Sequence, residues 1–103
     1  MSQQDVLQQV HTEAEALIAA LVEHLSRIPE VEGIYLLRED AAFGVWTIIK
    51  AFDRQVRRRI YEREAVLIDS FPRTPFDFHV VARENMRLET IAPSGGTIIF
   101  SRP

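Results

Sequence analysis

Cysteine is absent from the 103 residues, which excludes disulfides, thiolate zinc sites and cysteine nucleophiles at once. Glycine is scarce, four in all, and its one paired run, Gly95-Gly96, follows Pro93-Ser94 as a turn. No helix follows that turn, so it is not a phosphate loop. No apolar run approaches the roughly 20 residues that a membrane span needs. The polar start, Ser2-Gln3-Gln4-Asp5, lacks the basic-then-apolar order of a secretory signal. Cytoplasmic residence is expected, without a membrane partner.

What is present describes one globular domain over residues 1–103. Hydrophobic residues make up 47% and charged ones 26%, outside the disordered regime. The net charge of −3 hides an asymmetry. Residues 1–33 hold six acids (Asp5, Glu13, Glu15, Glu23, Glu30, Glu32) against Arg27, and the rest has eleven bases against nine acids. Nucleic-acid binding draws on phosphate neutralisation, so an acidic chain makes that partner a disfavoured one.

Leu7, Val10, Ala14, Leu17, Leu21, His24 and Ile28 recur at helical spacing, which predicts an amphipathic helix over about 3–27 that Pro29 stops. Ser2 suits its cap, with Asp5 and Arg27 matching the dipole at its two ends. At 1.5 Å per residue it would run about 37 Å, against a radius of gyration of about 13 Å for a domain of this size. Its N-terminal turns are therefore expected to overhang the body at residues 33–101 and to invite a partner helix or second copy.

Strands are predicted at Ile34–Arg38 and Val45–Phe52, joined by the turn at Glu39-Asp40 and so antiparallel. Both are apolar on two faces. Asp53 caps a helix over about 54–70, and the strand Phe76–Ala82 after it is expected to lie parallel to the second. A helical turn near Met86–Ile91 and an edge strand Thr97–Phe100 complete a two-layer α/β (α+β) fold. Its small mixed sheet has about four strands, with element order α-β-β-α-β-(short α)-β.

Several local strings carry chemistry-bearing residues. Arg54, Arg57, Arg58, Arg59 and Arg63 crowd a helix start, where cations oppose the dipole; with Arg38 they are candidates for holding a phosphate or acidic partner. Arg58–Glu62 pairing along a solvated helix is the alternative. Glu64 falls on the stripe Val56, Ile60, Leu67, Phe71, where a carboxylate must be paired or protonated. Arg38, Lys50, Arg57 and Tyr61 are its candidate partners. Asp77 and His79, two apart on a strand, share a face and could be metal ligands or an acid–base pair, with Glu84 or a first-helix histidine (His11, His24) as third member. His24 otherwise reads as a satisfied, partly buried side chain.

The strings Ile34-Tyr35-Leu36-Leu37, Val45-Trp46-Thr47-Ile48-Ile49 and Phe76-Asp77-Phe78-His79-Val80-Val81, with the closing Ile91-Ala92-Pro93 to Ile99-Phe100, resemble in order the minimal nucleotidyltransferase fold over roughly residues 30–103. The resemblance implies that Asp77 takes the place of the family's third carboxylate. Two departures accompany it. Arg38-Glu39 stands where Gly-Ser would bind phosphate, and Trp46-Thr47-Ile48 stands where paired aspartates would hold magnesium. Two-metal phosphoryl chemistry needs such a cluster. The expectation is a non-catalytic relative, with no metal centre or cofactor, that acts through protein contacts and self-associates as a homo-oligomer. Two other functions stay open: an anion or nucleotide module using Arg38, Arg54, Arg57 and Arg58, and a hydrolase or transferase using Asp77, His79 and Glu64.

Overall fold

A computed structural model describes the backbone of residues 3–103 and the side chains from residue 13 onward. The expected Ser2 cap, and the side chains of Asp5, of Leu7 and Val10 on the apolar stripe, and of His11, lie outside what is described. The chain forms an α+β fold of α1 (Gln3–Ser26), β1 (Val31–Arg38), β2 (Phe43–Ile49), α2 (Arg54–Ser70), β3 (Phe76–Ala82), α3 (Leu88–Ile91) and β4 (Thr97–Ser101). The sheet order is β3-β2-β1-β4. β1 pairs antiparallel with β2 and β4, and β2 pairs parallel with β3 across the α2 crossover.

Local chemistry accounts for the boundaries. The Asp53 carboxylate accepts from the backbone N–H groups of Gln55 and Val56, at 2.9 and 3.1 Å, satisfying two donors that α2 cannot pair internally. At the C-terminal end of α1, Arg27 pairs with Glu23 at 2.8 Å. That end is met from the far end of the chain. Arg102 donates to the carbonyls of Ser26, Ile28 and Val31, bringing its charge to the negative pole of α1.

Alternation places one row of side chains against the helices. Leu17, Leu21 and Leu25 of α1, Ile28 in the turn after it, and Val56, Ile60 and Leu67 of α2 close over Val31, Ile34, Val45 and Ile49 as one buried cluster. Glu13, Ala14, Glu15 and Ala16, a full turn of α1, are all exposed, so contact with the body begins at Leu17. Ala14, placed on the buried stripe by spacing, therefore lies outside the core.

On the reverse face stand Tyr35, Leu37, Gly44, Trp46, Ile48, Asp77, His79 and Val81. Leu88 of α3 lies 3.2 Å from where a Cβ on Gly33 would sit, so that glycine admits the short helix. Ile48, the register partner of Gly33, is fully buried beside it. Tyr35 and Gly44 are buried there as well, whereas Leu37, Trp46, Asp77, His79 and Val81 are only partly covered. Phe52 is not part of β2 as expected. The strand ends at Ile49, and Phe52 stands 62% exposed in the loop before α2.

Candidate functional site: a carboxylate–histidine cluster on the open face

β2 and β3 run side by side in an unbroken parallel register that pairs Gly44 with Asp77 and Trp46 with His79. Asp77 and His79 therefore stand on the open face, and they touch. His79 Nε2 lies 3.0 Å from Asp77 Oδ2, in a part-buried hydrogen bond. The indole of Trp46 tilts against the imidazole, with ring centroids 5.0 Å apart, and its Nε1 is buried without a partner.

A third group arrives from the β1–β2 turn, which Glu39 closes by donating its N–H to the Ala42 carbonyl at 3.0 Å. The Glu39 side chain folds back over Gly44, where a Cβ would collide with its carboxylate. The result is a group of ligand atoms, one each from Glu39, Asp77 and His79, all within 4.8 Å of one another. The third member expected from the sequence, Glu84 or a histidine of α1, is not the one the fold brings here. Glu84 sits past the far end of β3 from Asp77 and is exposed, α1 packs on the opposite face, and the His11 side chain lies outside the described residues. Gly44 was the available signal, since a glycine inside an apolar strand marks a close approach.

Glu64 cannot join this cluster. It faces the sheet from α2, whereas Asp77 and His79 point away from α2, so the sheet separates them. Glu64 is 6% exposed. Its Oε2 has no hydrogen-bond partner, and Arg57, one of the expected donors, gives its guanidinium to the Tyr61 hydroxyl at 2.7 Å instead. Burial without compensation pushes its carboxyl up to about 7. By contrast Glu32, held by Arg83, is lowered, chiefly by that hydrogen bond. His24 is part-buried as expected, but its Nδ1 is unpartnered rather than satisfied.

The four anion-binding candidates divide. Arg54, Arg57 and Arg58 line an open groove of about 620 Å³ with Phe52 and Tyr61. Arg38 stands at the other end of the sheet, opposite Phe43 at the start of β2, whereas α2 begins beyond its end. Within the groove, Arg57 is already held between Phe52 (5.2 Å) and Tyr61 (5.7 Å), and Asp53 occupies the helix-end donors that an anion would use. Arg59 pairs with Glu30 at 2.8 Å. No Arg58–Glu62 pair forms among the described residues.

No protein-family model, curated protein or solved structure matches this chain. No helix among the described residues is long and apolar enough to cross a membrane.

Proposed function

We propose that this domain is a non-catalytic, nucleotidyltransferase-like module that works through protein contacts, and that it self-associates by pairing β3 with β3 of a second copy. The element order supports that kinship, and Trp46-Thr47-Ile48 stands on the strand where paired cation-holding acids would be needed.

One observation carries the reading: the two edges of the sheet are finished differently. β4 is five residues long, carries a register shift against β1, and runs into Arg102-Pro103, features that blunt an edge. β3 has seven residues, no proline, no lysine or arginine, and an unshifted register with β2. All seven are only partly covered. Such an edge offers unpaired backbone donors and acceptors to another strand.

The pattern of β3 also matches itself. A two-fold axis at His79 would set Phe76 opposite Ala82 and Phe78 opposite Val80, large against small, along the helix-side row of both copies. Ile68 and Tyr61, exposed on the flank of α2 that also carries Arg57, would extend that row. Light scattering across a concentration series should return a dimer. Val80→Lys should shift it to monomer, at least tenfold in dissociation constant, with an unchanged circular dichroism spectrum. A wild-type chain that stays monomeric at millimolar concentration sinks the proposal.

A further inference from the structure

From the open-face geometry we infer that Glu39, Asp77 and His79 form a binding site for one first-row divalent cation of the zinc type. All three ligands come from one chain, so metal uptake by the monomer tests this inference separately from self-association.

Distance comes first. Zinc bonds imidazole nitrogen and carboxylate oxygen at about 2.0–2.2 Å, so two neighbouring ligand atoms of a tetrahedral shell lie about 3.3–3.6 Å apart. His79 Nε2 and Asp77 Oδ2 already stand 3.0 Å apart, and a Glu39 oxygen lies with both inside 4.8 Å. An ion therefore requires the Asp77–His79 hydrogen bond to open slightly and the three side chains to turn toward a common point.

Charge comes second. Two carboxylates are held together with no arginine or lysine paired to either among the described residues. They repel unless a cation sits between them. A divalent ion bound by two carboxylates and a neutral imidazole leaves the site uncharged.

Construction comes third. The glycine at 44 leaves the space over which the Glu39 carboxylate lies, next to its register partner Asp77. Trp46 walls the imidazole on one side with an apolar ring. A mixed nitrogen–oxygen set suits zinc, cobalt or manganese better than the all-oxygen cations calcium and magnesium. Three protein ligands and a partly exposed outer side leave a position for water or a partner's side chain. With Nε2 as ligand, the hydrogen bond to Asp77 is replaced, and any proton it carried is released.

The test is titration of the full chain with Zn²⁺ by calorimetry, and with Co²⁺ by visible absorption. One ion per chain is expected, with a cobalt d–d band of a nitrogen–oxygen site. Glu39→Gln, Asp77→Asn and His79→Ala should each weaken binding at least tenfold while the circular dichroism spectrum is kept, and His24→Ala should leave it unchanged. Absence of stoichiometric uptake by the wild type overturns the inference. So does uptake that survives Glu39→Gln, or that His24→Ala removes.

Discussion

The two faces of the sheet hold similar residue types under opposite conditions. On the helix side, eleven apolar residues close into one cluster, and the polar groups among them, Thr47 Oγ1 and Glu64 Oε2, are buried without partners. On the reverse side, the acids and the histidine meet one another at partial exposure. The first arrangement stabilises the fold despite its polar atoms. The second contributes little to stability and leaves functional groups accessible. Stability and chemistry are thus separated by one layer of backbone.

The sharpest way to break that contrast is to remove one leucine from each face. Leu21 is fully buried between α1 and the sheet, so Leu21→Ala should cost about 2–5 kcal/mol through lost transfer energy and a residual cavity. Leu37, half-buried on the reverse face, should cost under about 1 kcal/mol when shortened to alanine. Urea denaturation reads both. Equal losses would mean that the reverse face is as tightly packed as the first.

Next in size is Glu64. Its folded carboxyl titrates near 7 against an ordinary 4.5, raised by burial. The folded chain therefore holds a proton that the unfolded chain releases between those values, and the Glu64 contribution to stability falls as pH rises from 4.5 through 7. The total is on the order of 3 kcal/mol. Glu64→Leu should accordingly stabilise the fold most above pH 8, with a much smaller effect at pH 4. A gain of equal size at both pH values would show that the carboxyl is not the source. Glu32 runs the other way: lowered chiefly by the Arg83 hydrogen bond, it contributes above pH 4.5 and is lost as pH falls through its folded value.

Much of the helix-side face was legible in the sequence, and little of the reverse face was. The α2 boundaries, its Asp53 cap, β3 and the strand directions all follow from local periodicity, capping and connection length. Asp77 and His79 were legible as a pair because strand alternation alone puts them together. Glu39 was not, because its approach depends on how the 39–42 turn closes and on the space above Gly44. Arg102 and Arg83 act on groups more than fifty residues away, and neither partner carries a local sign of the other. Phe52 falls outside β2 for a related reason: an apolar residue continues the strand pattern, but Asp53 begins the α2 cap one residue later.

The smallest expected effect isolates a single atom. Thr47 is fully buried in the middle of β2, on the row that includes Val45 and Ile49, and its Oγ1 makes no hydrogen bond. Its register partners Ile34 and Val80 are both apolar. Thr47→Val keeps the shape and the β-branching while removing the orphaned oxygen, so the sheet should gain about 1 kcal/mol. The same change at an exposed strand threonine, Thr97, should be neutral. If Thr47→Val destabilises instead, the hydroxyl has a partner, and the helix-side core holds a polar contact, as the reverse face does.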